Sequence, residues 1–229
     1  MRIAAAFVGA LLLAACAGSS SPSIDGAKVL RDGATAMANL KTVNATLKMT
    51  KGTVSIQGFA LASARTAVRL PTDSDTTYTV KQGDISFALQ VVITGGHVYL
   101  HLPLSTLQEA PPAEAAVFPD MAKLFGTSTG LPAVIPAGSS PHYVSTDQVA
   151  GQSAYQVATS YTPDQVRGLI AQFNSAGAVA AHVWVDVTDH EIRKAVLAGA
   201  FGDNGTLATV EVDITAFDAP VAITSPSPS

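Results

Sequence analysis

Several things are scarce in this chain of 229 residues, and each scarcity excludes something. There is a single cysteine, so no intrachain disulfide can staple the fold and a buried core must hold it. Charged residues make up 13% of the chain, against roughly 25% in an ordinary soluble domain. Aromatics are 6%, and the net charge of −4 offers no basic footprint for nucleic acid. After residue 20 no run approaches the ~20 apolar residues of a membrane span. CxxC, HExxH, phosphate-loop and dinucleotide motifs are missing, so the sequence implies no cofactor. What remains is small aliphatic surface: hydrophobic residues are 48% of the chain, mostly Ala and Val.

The N-terminus is specific. Arg2 supplies a positive start, Ile3 to Leu13 an apolar run, and Leu13-Ala14-Ala15-Cys16 a small-residue cleavage point. Residues 1–15 read as a signal peptide, and Leu-Ala-Ala-Cys resembles the bacterial lipobox. In that pathway the Cys16 thiol receives a diacylglyceryl group and becomes the new N-terminus. Two or three acyl chains, at ~0.8 kcal/mol per buried methylene, hold a protein on a membrane where one chain does not. The expected location is the outer face of the cell membrane, lipid-anchored through Cys16. Residues 16–23 form a Ser-rich tether, 24–220 a single folded domain, and 221–229 a Pro/Ser tail.

Periodicity assigns the domain's elements. Ala27, Leu30, Ala34 and Met37 share one face of a helix over residues 25–40. Val43, Ala45, Leu47 and Met49 then alternate with polar residues, as in a half-buried strand. Lys51-Gly52 reads as a hairpin turn into a strand over Thr53 to Phe59. Ala64–Leu70 and Thr76–Lys81 are weaker strands around the polar turn PTDSD. Ile85 to Thr94 is the strongest, with Ile85, Phe87, Leu89, Val91 and Ile93 on one face and Gly95-Gly96 turning into Val98, Leu100 and Leu102. Prolines break the pattern from 103 to 141, leaving short helices at Asp120–Phe125 and Leu131–Ile135. Strands near Tyr143 and over Ala154–Thr159 lead to Thr162-Pro163-Asp164-Gln165, a capping box before the stripe Val166, Leu169, Ile170, Phe173. Three late strands cover 182–187, 191–199 and 207–217. Many antiparallel strands with few amphipathic helices make an α+β domain, with no repeat and no internal linker.

Candidate chemistry reads more simply as structure. Gly126-Thr127-Ser128-Thr129-Gly130 matches the nucleophile-elbow pattern, which would make Ser128 a hydrolase nucleophile, but the residues before it are helical rather than a strand. His97 and His101 share a strand face roughly 13 Å apart and cannot share a metal ion. In HVWVDVTDHEIRKAVLAG (182–199), Val183, Val185 and Val187 point one way while His182, Trp184 and Asp186 point the other. Asp189 and His190 suit the solvated turn between two strands. No metal site and no catalytic residue are assigned.

The same hairpin carries a family likeness. Val183-Trp184-Val185-Asp186, Asp189-His190 and Ala195-Val196-Leu197-Ala198-Gly199 resemble the late hairpin of the LppX–LprA–LprF–LprG lipoproteins of mycobacteria. Val91 to Leu100 and Thr129-Gly130-Leu131 match in the same order, as do the lipobox and the first helix. The resemblance implies a strongly curved antiparallel sheet, a half-barrel with helices on one face, similar to the LolA/LolB carriers and receptors. It implies a non-catalytic monomer that binds acyl lipids or glycolipids in an apolar cavity and moves them across the envelope, some relatives acting with a major-facilitator transporter. Two departures stand out: Pro132 and Pro136 in a segment more helix-friendly in relatives, and Phe217-Asp218 in place of a late tryptophan–glycine.

Strand faces and the helix stripe nominate a lipid-binding lining: Phe87, Leu89, Val91, Val98, Leu100, Leu169, Phe173, Val183 and Val185. Scarce aromatics and abundant Ala and Val favour incomplete filling of the space between sheet and helices. A filled interior would instead make the protein an envelope scaffold or transporter accessory.

Overall fold

The computed structural model describes residues 23–103 and 105–225. The signal peptide, Cys16 and nearly all of the tether lie outside the described residues, as does the end of the tail. Asp25 opens α1 (Gly26–Ala38) by accepting hydrogen bonds from the amides of Ala27 and Lys28. Seven strands follow: β1 (Thr42–Lys51), β2 (Ser55–Ile56), β3 (Phe59–Arg69), β4 (Asp73–Gln82), β5 (Ile85–Thr94), β6 (His97–His101) and β7 (Gln108–Glu109). Three one-turn helices, α2 (Pro112–Ala115), α3 (Met121–Leu124) and α4 (Leu131–Val134), fill the proline-rich stretch. Then come β8 (Ser139–Val149), β9 (Gln152–Tyr161), α5 (Pro163–Leu169), β10 (Val179–Asp186), β11 (Ile192–Gly199) and β12 (Ala208–Phe217).

All the strands belong to one antiparallel sheet in the order β7-β6-β5-β4-β3-β1-β12-β11-β10-β9-β8, with β2 paired to β3 off that path. Its ends do not close, so the architecture is the open half-barrel that the resemblance implies. The chain's first and last strands meet at its centre, where Leu47 faces Val212 and Val43 faces Phe217. That seam joins an N-terminal half (β1–β7) to a C-terminal half (β8–β12).

Each half has its own cover. α1 buries Val29, Leu30, Gly33, Ala34 and Met37 over the C-terminal half. The fit is tight at Gly33: a Cβ would meet the side chains of Val185 and Ile192 at 3.2 and 3.1 Å, so they would have to give by a few tenths of an ångström. Over the N-terminal half, Phe118 packs on Tyr78 with ring centroids 5.8 Å apart.

The structure corrects the sequence reading at several points. Thr53–Phe59 is not the hairpin partner of β1; Ser55 and Ile56 pair with β3, which Phe59 itself begins. Gly52 has φ +72° and runs so close to Leu207 and Ala208 that no side chain fits, so it serves a long-range approach rather than a local turn. The stripe Val166–Phe173 is not one helix: α5 ends at Leu169, and Ile170 is extended. β4 reads as weak because its inward positions include Ser74 and Thr76; Thr76 is satisfied across the ladder by Thr66 at 2.8 Å. Ile85, assigned to the apolar face, is 70% exposed where β5 overhangs the core.

Candidate functional site

Directly opposed residues of neighbouring antiparallel strands point to the same side. One such row crosses eight strands: Val157, Val183, Ala195, Val212, Leu47, Ala64, Tyr78 and Leu89. Its middle spans the seam and sets the small Ala195 and Ala64 on either side of the bulkier Val212 and Leu47. Ala45 and Ala181 add two more methyl-sized positions nearby. Four alanines on the floor leave room that leucines would fill.

Above them lies an apolar cavity of about 120 Å³. Its roof comes from Met37 of α1, Met121 and Leu124 of α3, Leu131 and Val134 of α4, and Val166 and Leu169 of α5. Ile170 and Phe173 close it beyond α5. The polar atoms at its rim are paired elsewhere. Tyr161 donates its hydroxyl to the Ile135 carbonyl at 3.1 Å, and Thr66 shares a hydrogen bond with Thr76. Burial pushes the Tyr161 phenol well above its ordinary pKa, so it stays neutral. Such a space excludes charge and admits hydrocarbon.

Of the nominated lining, Leu169, Phe173 and Val183 meet around this cavity. The other six lie elsewhere. Val185 is fully buried under α1 at Gly33. Leu89, Val91 and Leu100 are buried in the core of the N-terminal half, with Val98 packed against them. Phe87 stands edge-on to Phe59 at 4.9 Å. The physical reason is that the cover of the N-terminal half sits directly on β4–β6. Reading by strand face drew most of these residues from the filled half of the sheet. The signal for the cavity was instead small residues at inward strand positions: Ala45, Ala64, Ala181 and Ala195.

Residues 25–223 match the sequence model of the LppX_LprAFG lipoprotein family. The chain belongs to that family. Among solved structures it is similar to LprF from Mycobacterium bovis, at 16% identity and a TM-score of 0.70, covering 90% of this chain and 100% of that one. It is also similar to LppX from Mycobacterium tuberculosis, at 16% identity and a TM-score of 0.62, covering 86% and 97%. At these identities the likeness is one of fold. No curated protein matches the chain.

Within this family frame, the two sequence departures have local explanations. Pro132 sits in the first turn of α4, where a missing N–H breaks no helical bond, so the short helix forms in spite of it. Asp218 takes φ +49° and accepts from the amides of Lys41 and Thr42 at 2.6 and 3.2 Å, tying the end of β12 to the start of β1. These amides hold its carboxyl below the ordinary value.

The acid–histidine turn is structural. Asp186 is not solvated, as a turn carboxylate normally is, but 2% exposed. It accepts from the amides of Thr188 and Asp189 at 2.8 and 3.3 Å and pairs with Arg193 at 3.2 Å. Arg193 also meets Asp189 at 2.5 Å and Glu191 at 3.0 Å, and lies over the Phe217 ring. The guanidinium thus occupies the place between the acids. Among the described residues no group of His, Cys, Asp and Glu could hold a metal ion. Trp184, on the outer face, donates to Asp147 at 2.8 Å and clips β10 to β8. Gly126–Gly130 joins α3 to α4, both one-turn helices, so Ser128 does not sit on a strand-to-helix elbow.

Proposed function

We propose that this lipoprotein binds acylated lipids or glycolipids by placing hydrocarbon in the cavity across the sheet's seam, and carries them across the envelope from a Cys16 anchor. The observation that carries the reading is the floor: alanines where leucines would pack, beneath lining with no unpaired polar group facing in. An engineered apolar cavity of about 150 Å³ takes up benzene, so the space as it stands holds a segment of one chain. More chain goes with outward movement of the roof, whose helices α3, α4 and α5 are 4, 4 and 7 residues long. Helices this short do not stand alone in water and keep their place by contact with the floor, contacts that an acyl chain can replace. Leu169, Phe173 and Val183 are the nominated residues that touch the chain. The protein acts as a non-catalytic monomer, and a major-facilitator transporter is the proposed partner.

Native mass spectrometry of the gently purified protein, with titration of a fluorescent acyl probe, tests this. A co-purifying lipid and saturable probe uptake are expected. No lipid and no uptake would leave the filled-core scaffold in its place. In cells, Cys16→Ala should move the protein from the membrane to the soluble fraction; retention on the membrane would overturn the anchor.

A further inference from the structure

Among the described residues, four large hydrophobic side chains stand exposed: Ile85, Leu102, Val144 and Leu207. Ile85 and Leu207 are the most exposed, at 70% and 65%. Both lie at one end of the sheet. The antiparallel order β5-β4-β3-β1-β12 puts the starts of β5 and β12 at the same end, four strands or roughly 19 Å apart. Ile85 follows the Gly83-Asp84 turn, which projects freely: beyond its chain neighbours, no atom lies within 4 Å of a Cβ built at Gly83.

Strand alternation sets Ile85 on the inner face with Phe87. Phe87 meets the Phe59 ring edge-on at 4.9 Å and stands in the cross-strand row Phe87, Val80, Leu61. Leu61, with Ile56 opposite Phe59, walls a second, much smaller apolar space of about 10 Å³. That space shares Leu47, Ala64, Met121, Ile170 and Phe173 with the main cavity. Apolar surface therefore continues from an exposed hairpin tip to the acyl cavity.

The chain's own attachment lies toward the same end. Gly26, at the start of α1, packs on the backbone of His142 and Tyr143, where a Cβ would come within 2.8 to 2.9 Å. These are the fourth and fifth residues of β8, whose start is again at the end of the sheet that carries Ile85 and Leu207. Cys16 is ten positions before Gly26, so a tether from the proposed anchor joins the domain near this rim. A stable protein partner would bury about 800 Å² of each surface, which two side chains four strands apart do not supply. A bilayer needs no such area, because each side chain partitions into hydrocarbon on its own. Charge is balanced over residues 51–59, 81–86 and 199–209 of the rim, with Lys51 and Lys81 against Asp84 and Asp203. Contact there relies on apolar insertion and not on anionic headgroups.

We propose that this end of the half-barrel is a membrane-docking rim, with Ile85 and Leu207 entering the hydrocarbon of a lipid bilayer and the apolar surface behind Ile85 facing the source of the acyl chain. This rests on the lipid-binding reading above and adds the surface by which the carrier meets its membrane.

The full-chain protein and phosphatidylcholine vesicles test it. Ile85→Trp places an indole at the rim, while Trp184, on the outer face of β10, is the control in the parent. With vesicles of phosphatidylcholine brominated along its chains, emission from the added indole should shift to the blue and be quenched. The parent's emission should not change, and high salt should make no difference to either. Ile85→Asp combined with Leu207→Asp alters two positions too exposed for the fold to depend on. It should slow uptake of a fluorescent acyl lipid from plain phosphatidylcholine vesicles at least about tenfold. Its affinity for a short-chain acyl probe dissolved in water should match the parent's. An unquenched indole at position 85 would overturn the docking rim, as would a doubly substituted protein that draws lipid from vesicles as fast as the parent. In either case the dissolved probe still reports lipid binding. If the dissolved probe does not bind the parent, the carrier reading fails, and quenching at position 85 still tells whether the rim meets the membrane.

Discussion

Asp186 keeps its charge at a depth where most carboxylates would lose it. Burial works against the ionised form, but the amides of Thr188 and Asp189 and the Arg193 guanidinium outweigh it and hold the carboxyl below its ordinary value. Its neighbour goes the other way. Burial and the nearby Asp189 push Glu191 up to about 7, with Arg193 only partly offsetting them. The two have opposite consequences for stability. The contribution of Asp186 is present above its unfolded pKa and is lost as the pH falls. Glu191 binds its proton more tightly in the folded state, so its contribution is complete below its unfolded pKa of 4.5 and disappears as the pH rises through about 7. Glu191→Gln should therefore match the parent at about pH 4 and exceed it by at least about 1 kcal/mol at about pH 8. Urea unfolding at the two pH values measures this, and an equal difference at both would show that Glu191 does not titrate with folding.

At the scale of elements, the roof is held by few polar ties, and Gln165 makes two of them. Its Oε1 accepts from the Thr162 amide at 2.8 Å, completing the capping box of α5, and its Nε2 donates to the Ala137 carbonyl at 3.1 Å. It thereby joins α5 to the turn just after α4, linking two of the roof's pieces. Gln165→Ala should cost about 1 kcal/mol, the usual worth of a cap, speed amide exchange over 163–169, and hasten uptake of an acyl probe. Unchanged exchange and uptake would mean that the roof is held by packing alone. This cap was legible in the sequence because Thr162, Pro163 and Gln165 act within one turn. The strands β5 and β6 and the hairpin β10–β11 were legible for the same reason: alternation and turn residues are local. The partner of β1 was not. Nothing near Leu47 states that it faces Val212, some 165 positions along the chain. Local reading therefore gave β1 a hairpin partner at Thr53–Phe59 and could not place a cavity on a seam between distant segments.

For the whole molecule, the decisive matter is whether the space above the seam is a defect or a site. A packing defect lowers stability by the contacts its walls forgo, and filling it returns that stability without cost to function. A ligand site behaves differently: filling it stabilises the protein and removes its activity together. Ala195 is the position to fill. It lies in the middle of the floor row, between Val183 and Val212, and lines the cavity with only a methyl group. A benzene ring occupies an engineered cavity of about 150 Å³, so a phenylalanine ring introduced at this position would take up most of the roughly 120 Å³ here. Because the ring enters open space rather than packed core, Ala195→Phe should fold normally, with stability unchanged or raised by up to about 2 kcal/mol. Binding of a fluorescent acyl probe should fall at least tenfold. Thermal melting and probe titration on the same preparation read both quantities. A melting temperature held or raised with binding lost marks the cavity as the place where the chain sits. Binding retained in a stably folded variant would move the lipid to another surface of the half-barrel and reduce the alanine floor to loose packing.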